Sequence, residues 1–282
     1  MSLWHAVVLA VVQGLTEFLP ISSSAHLWFF PWAFGWSDGG IPFDVALHVG
    51  TLFAVLIYFL GTWVELVLNG LGVHYPGSAS AEQVATNRRI FWLLVVGTIP
   101  GAIVGALFER FIEETWRNPG PIAAAVIGVA VLMIVVEAMG GLKRTMQDVH
   151  LGDALIIGCA QALALFPGVS RSGITIIAGL WRKMTREAAA RFSFLLSTPL
   201  IAGAALVEVP KLLKMRHEAG GVDISTSTLI ISVVVSAVVG YAVIGFLLRY
   251  LQTKTLKIFV VYRFAFGIVI LVLMFLHRGA AR

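Results

Sequence analysis

Near the N-terminus, Gln13-Gly-Leu-Thr-Glu17-Phe-Leu-Pro20-Ile-Ser22-Ser23-Ser24-Ala-His26 sets an amide, a carboxylate, three hydroxyls and an imidazole close together. Gln13 and Glu17 stand four residues apart, so a helix places them on one face. Pro20 has no amide hydrogen and ends that helix just before the hydroxyls. A second cluster, Pro167-Gly168-Val-Ser170-Arg171-Ser172-Gly173, puts a guanidinium between two hydroxyls where a new helix begins. Helix-start amides, a glycine that admits close approach and an arginine together describe an oxyanion site, with phosphate as its natural guest. Thr175, one turn after Arg171, adds a hydroxyl to the same face. Hydrolysis of a phosphate needs charge neutralisation, a positioned nucleophile and a proton donor, and the two clusters hold all three.

Each group also has a plainer reading. Ser22, Ser23 and Ser24 could bond only the backbone at the helix break. His26 could be hydrogen-bonded packing, and Arg171 could simply neutralise a buried Glu17. Glu17 is the sharpest of them, because a carboxylate at membrane depth costs roughly 2.5–3.5 kcal/mol unless it is solvated or paired.

The setting is a bilayer. The chain has 282 residues, of which 59% are hydrophobic and only 12% charged, and its mean hydropathy is +0.91. That composition predicts an all-α polytopic membrane protein. No basic stretch followed by a small-residue cleavage site marks a signal peptide. Cys159 is the single cysteine, which excludes an internal disulfide and a multi-cysteine metal site. A net charge of +5 without a dense basic cluster gives no reason to expect nucleic acid.

Leu3 to Leu19 and Leu27 to Trp36 read as two half-length helices joined at a polar break, a re-entrant hairpin. Val45 to Val64, Ile90 to Phe108 and Pro121 to Val136 read as full spans, separated by polar stretches at 69–89, with a Gly/Ser/Pro-rich tip, and 109–120. The pattern then returns: Gln13, Leu15, Phe18, Ser22 and Ser24 match Gln161, Leu163, Phe166, Ser170 and Ser172 at a constant offset of 148 residues. Phe192 to Val207, Leu229 to Leu248 and Ile258 to Leu276 complete a second set of three spans. The reading is therefore six transmembrane helices and two re-entrant hairpins in two repeats, 1–140 and 141–282, forming one membrane domain. Three spans lie between the hairpins, so the second enters from the opposite face, and the two tips can meet inside the membrane.

Arg88, Arg89, Lys143, Arg144, Arg182, Lys183, Arg186, Arg191, Arg249, Lys254 and Lys257 fall on one side; Arg110, Arg117, Lys211, Lys214, Arg216, Arg278 and Arg282 fall on the other. The richer side is expected to be cytoplasmic, which puts both termini and the mouth of the first hairpin outside. Arg263, inside the last span, is expected to snorkel or pair with a neighbour. Glu65 and Glu137 lie near span ends, within reach of head-group water. Asp44 and His48 stand at the start of a span, where they could flank the pocket mouth. A buried polar site open to one side suits a phosphorylated lipid whose tail stays among acyl chains. The rival is an inverted-repeat transporter of a lipid phosphate or small anion, which builds anion sites from the same broken helices.

These motifs resemble the undecaprenyl-diphosphate phosphatase family, the bacitracin-resistance membrane proteins of bacteria. Gln13, Glu17 and Phe18 to His26 match its first signature; Pro167 to Thr175 match its second. The resemblance implies hydrolysis of undecaprenyl diphosphate to undecaprenyl phosphate and inorganic phosphate, recycling a cell-wall carrier lipid in the plasma membrane, with Mg²⁺ or Ca²⁺. It implies Glu17 and His26 as acid/base or metal-organising groups and Ser23 as nucleophile. Arg171 with Ser170 and Ser172 becomes the diphosphate clamp, and Gln13, Ser22, Ser24, Gly168 and Thr175 line the substrate. Gln13 departs from the glutamate of many members and leaves one carboxylate at that pair. The acid-phosphatase-like lipid phosphatases also use Ser-Arg elements, but Ile177 stands where their histidine should follow. Oligomeric state is open on the sequence, a homodimer included.

Overall fold

Apolar runs that cannot leave backbone groups unpaired in lipid have one solution here, the helix. The computed structural model describes residues 1–37, 40–73, 80–215 and 224–280. In chain order the helices are α1 (Leu3–Phe18), α2 (Ser23–Phe34), α3 (Gly40–Tyr58), α4 (Leu60–Gly70), α5 (Ala81–Trp116) and α6 (Pro119–Ala138). They are followed by α7 (Leu151–Leu163), α8 (Arg171–Trp181), α9 (Arg186–Met215), α10 (Thr226–Thr253) and α11 (Lys257–Ala280). Among the described residues, five helices are long and apolar enough to cross a membrane, or six if α3 and α4 count as one bent span. Large apolar side chains such as Leu206 (79% exposed) and Phe275 (77%) point outward, as lipid-facing residues must. The protein is an all-α, multi-pass membrane protein.

The two broken pairs, α1–α2 and α7–α8, are each packed helix against helix. The halves meet by exchange: α1 packs on α10 as α7 packs on α5, while α3 meets α9 and α6 meets α11. Close approach needs small residues at these crossings. A Cβ on Gly158 of α7 would fall 2.2 Å from the carbonyl oxygen of Gly97 in α5.

Two expectations are corrected. The span read as Val45 to Val64 breaks at Phe59, and α3 and α4 meet at 78°. Neither proline nor glycine occupies the break. Phe59 buries its ring beneath the Arg191 guanidinium, and the bend carries Glu65 to Asn87 of α5 and the Gly70 carbonyl to Trp92. The polar stretch 109–120 does not end α5, which continues to Trp116. Its 36 residues reach about 54 Å at about 1.5 Å each, well beyond a hydrocarbon core of about 30 Å, so its polar ends leave the membrane as helix. Glu137 stands at the end of α6, as expected, where it accepts from Arg186 Nε and the Leu256 amide. The loop tip at 74–79, Arg216, Arg282 and the side chains of Arg110, Lys211, Lys214 and Arg278 lie outside the described residues.

Candidate active site

The two helix breaks are built alike. Ser22 caps α2, accepting from the Ala25 amide, and Ser170 caps α8, accepting from the Gly173 amide. Both adopt positive φ, 78° and 73°. In each, the capping hydroxyl also meets the serine two residues on: Ser22 with Ser24 at 3.2 Å, Ser170 with Ser172 at 3.3 Å. Each break therefore turns the first amides of a new helix, and the positive end of its dipole, toward the tip.

The tips are tied to each other. Gly168 N donates to Ser24 Oγ at 3.4 Å, and Ser172 Oγ donates to the Leu19 carbonyl at 3.0 Å. Gly168 has a φ of 97°, and a Cβ there would sit 2.6 Å from the Ile122 carbonyl oxygen, so only glycine lets the second tip lie against α6.

Glu17 is the hub. Its Oε1 accepts from Arg171 Nη2 at 2.8 Å, a contact across 154 residues of chain. Its Oε2 accepts from Ser23 Oγ at 2.6 Å and from Gln13 Nε2 at 3.0 Å. His48 Nε2 lies 3.5 Å from the same oxygen. Glu17 itself is 5% exposed. A carboxylate this deep in an apolar protein is tolerable only because charged and polar donors surround it. Gln13 Oε1, beside it, is buried with no hydrogen-bond partner.

Arg171 reaches this hub from a backbone held by Thr175, whose hydroxyl bonds the Arg171 carbonyl at 2.6 Å and meets Ser193 Oγ of α9 at 2.6 Å. Thr175 thus supports the guanidinium from behind. Ser22, Ser24, Ser170 and Ser172 likewise spend their hydroxyls on caps, on neighbouring serines and on the link between tips, whereas Ser23 faces Glu17.

His26 is placed differently from Ser23. Its Nδ1 lies 2.7 Å from the Ser22 carbonyl and its Nε2 lies 2.7 Å from Tyr262 Oη. A carbonyl oxygen only accepts, so Nδ1 donates, and in the neutral ring Nε2 accepts from the tyrosine. The ring stacks on Phe266 at 4.0 Å. Both nitrogens are thereby engaged away from Glu17.

Of the two expectations for Arg263, snorkelling and pairing with a neighbour, the second holds: the side chain is fully buried and its partners are backbone carbonyls. Its guanidinium donates to the carbonyls of Pro20 in the first break, Gly168 and Val169 in the second, and Ala125 and Val126 of α6. One cation in α11 thus gathers both tips onto the same scaffold. Sequence reading missed Tyr262 and Ser193 altogether. The one available signal was a serine at 193 within an apolar run; nothing marked the tyrosine.

Comparison with known proteins places the chain in a family. Residues 6–269 match the family described as bacitracin resistance protein BacA. The undecaprenyl-diphosphatase of Geobacter metallireducens is 48% identical over 272 residues, covering 96% of this chain and 98% of that protein. That of Moorella thermoacetica is 45% identical over 278 residues, covering 99% and 100%; that of Geotalea daltonii is 46% identical over 280 residues, covering 99% and 100%. Similarity of this depth along nearly the whole polypeptide, both helix breaks included, makes the chain a member of the bacitracin resistance protein BacA family.

Proposed function

We propose that this chain hydrolyses undecaprenyl diphosphate to undecaprenyl phosphate and inorganic phosphate in a bacterial plasma membrane. The reaction returns a carrier lipid to cell-wall synthesis and lowers sensitivity to bacitracin. The observation that carries the reading is the Ser23–Glu17–Arg171 chain, at 2.6 and 2.8 Å, drawn from both halves of the protein. An anion transporter would need the arginine but not a hydroxyl donating to a buried carboxylate.

In the proposed reaction the diphosphate enters between the tips. Arg171 and the first amides of α8 take its negative charge. Ser23 Oγ attacks the terminal phosphorus while its proton passes to Glu17 Oε2. The bond from that phosphorus to the bridging oxygen breaks, and undecaprenyl phosphate leaves. Water then attacks the phosphoserine, inorganic phosphate departs and Ser23 regains a proton. His26 holds the Ser22–Ser23 turn through the Ser22 carbonyl and is a positioning residue in this scheme.

The donor set fits one divalent cation such as Mg²⁺ or Ca²⁺. Glu17 and the unpartnered Gln13 Oε1 offer oxygen ligands, and substrate phosphates can complete the coordination. Among the described residues there is no group of three or more His, Cys, Asp or Glu that would cage a metal by protein alone. When bound, the ion would neutralise charge on the diphosphate. The distribution of Lys and Arg supports an external position for both termini and the site mouth.

The test is phosphate release from undecaprenyl diphosphate by purified protein in detergent. Ser23→Ala is expected to lower turnover by at least about a thousandfold, as for loss of a nucleophile, and Arg171→Ala by about a hundredfold or more. Ser24→Ala should retain most activity. Labelled phosphate trapped in wild type should sit on Ser23. Undiminished release from Ser23→Ala would refute the assignment.

A further inference from the structure

The described cations of the lysine- and arginine-rich side are mostly engaged. Arg144 and Arg182 bind Asp153, Arg186 binds Glu137, Arg191 binds Glu187, and Lys183 donates to the Met139 and Gly140 carbonyls. Arg249, Lys254 and Lys257, like Arg88 and Lys143, are not engaged, and of these five only the first three border a groove. Their side chains are exposed and, among the described residues, make no ion pair or hydrogen bond.

These three cations border two adjoining open surface grooves at the turn between α10 and α11. One, of about 620 Å³, runs along Tyr58, Tyr241, Gly245 and Phe246 to Arg249 and Lys254. The other, of about 460 Å³, lies between Lys254, Lys257, Ile258 and Val261. They share Tyr250, Thr253 and Lys254. At Gly245 a Cβ would lie in ordinary contact with the Tyr58 ring, at 3.4 Å, so a larger side chain would occupy the first groove. Neither groove includes a residue of the helix breaks.

The arrangement grades from charge to grease along a helix axis. Arg249, Thr253 and Lys254 lie at the end of α10, where a span meets the interface, with tyrosines just inside as interfacial side chains prefer. Phe246, Gly245 and Tyr241 follow one to three turns deeper. A ligand complementary to this surface has a phosphate at one end and alkyl chain at the other. We infer that the α10–α11 turn is a binding site for an anionic phospholipid of the surrounding leaflet. Its phosphodiester sits among Arg249, Lys254 and Lys257, and an acyl chain lies against Gly245 and Phe246. The site is separate from the hydrolytic centre and does not depend on the reaction proposed there.

The test uses the full-length protein in nanodiscs of phosphatidylcholine containing a minor fraction of phosphatidylglycerol. Lipid retained by the protein on release into the mass spectrometer is counted. Wild type should retain phosphatidylglycerol over phosphatidylcholine. The pair Arg249→Ala with Lys254→Ala should lose that preference by roughly thirtyfold, the effect of two basic contacts at an anionic surface. A control pair of equal charge on the same side, Arg88→Ala with Lys143→Ala, should keep it. Gly245→Leu, which fills the groove without changing charge, should also lower retention. Each variant should still release phosphate normally in pure phosphatidylcholine, a check on folding. Equal loss in both charge pairs would overturn the site in favour of diffuse attraction. Equal retention of both lipids, or unchanged retention in Gly245→Leu, would overturn it as well.

Discussion

Ser22 and Ser170, 148 residues apart, hold the same disfavoured backbone, with φ and ψ of 78° and 95° at one and 73° and 111° at the other. Each is the N-cap of the helix that follows its break, and each hydroxyl accepts from the amide three residues on. Non-glycine residues in such regions cost about 1–3 kcal/mol and persist where surroundings fix them. Here the return is a sharp turn that aims the next helix at the opposite tip.

The two contributions at this position separate by mutation. Ser170→Ala removes the cap and keeps the strain, so it should destabilise by about 1 kcal/mol. Ser170→Gly relieves the strain while giving up the same bond, and should stay within a few tenths of wild type. Thermal unfolding in detergent measures both. A glycine variant less stable than the alanine variant would show that the positive φ carries no strain.

Arg263 explains why the tips stay together. Lysine offers one compact donor group where arginine spans five carbonyls from three parts of the chain. Arg263→Lys leaves several buried carbonyls without donors, each worth about 1–3 kcal/mol. It should also lower kcat about a hundredfold, since misplacement near 1 Å has that effect, with a much smaller change in KM. Equal kcat in the lysine variant would show that the tips hold their geometry without it.

How much of this could be read from the letters depends on where the partners lie. Gln13 and Glu17 are one turn apart, and their bond at 3.0 Å follows from helix geometry alone. The two breaks carry proline and serine runs, so their place and their meeting were readable too. The role of Arg263 was not, because its partners are backbone carbonyls that any residue supplies. Tyr262 meets His26 across 236 residues, and no local pattern records such a contact. The bend at Phe59 has no breaker residue; it follows from burial of one ring and from polar partners on α5. Tertiary packing chose these features, whereas local chemistry chose the motifs.

Gln13 makes a prediction about cations. Gln13→Glu would set a second carboxylate beside Glu17, about 3 Å from it, and two such groups cannot both stay ionised without a counter-charge. A divalent cation is the available remedy. The variant should lose more activity in EDTA than wild type and should half-saturate at about tenfold lower Mg²⁺, because affinity rises with ligand charge. An Mg²⁺ titration identical to wild type would show that Gln13 does not face the ion.

His48 supplies the last prediction. Its Nδ1 lies 2.7 Å from the Asp44 carbonyl, which can only accept, so that nitrogen carries the proton and the ring is fixed. The other nitrogen then faces Glu17 Oε2 at 3.5 Å. His48 therefore stands close enough to help position the carboxylate facing Ser23. His48→Gln, which keeps a polar group, should hold kcat within about tenfold of wild type. His48→Leu removes the polar group beside Glu17 Oε2 and should lower kcat by roughly ten- to a hundredfold. Steady-state phosphate release on the two variants distinguishes them, and equal losses in both would mean that the histidine contributes shape and not a polar contact.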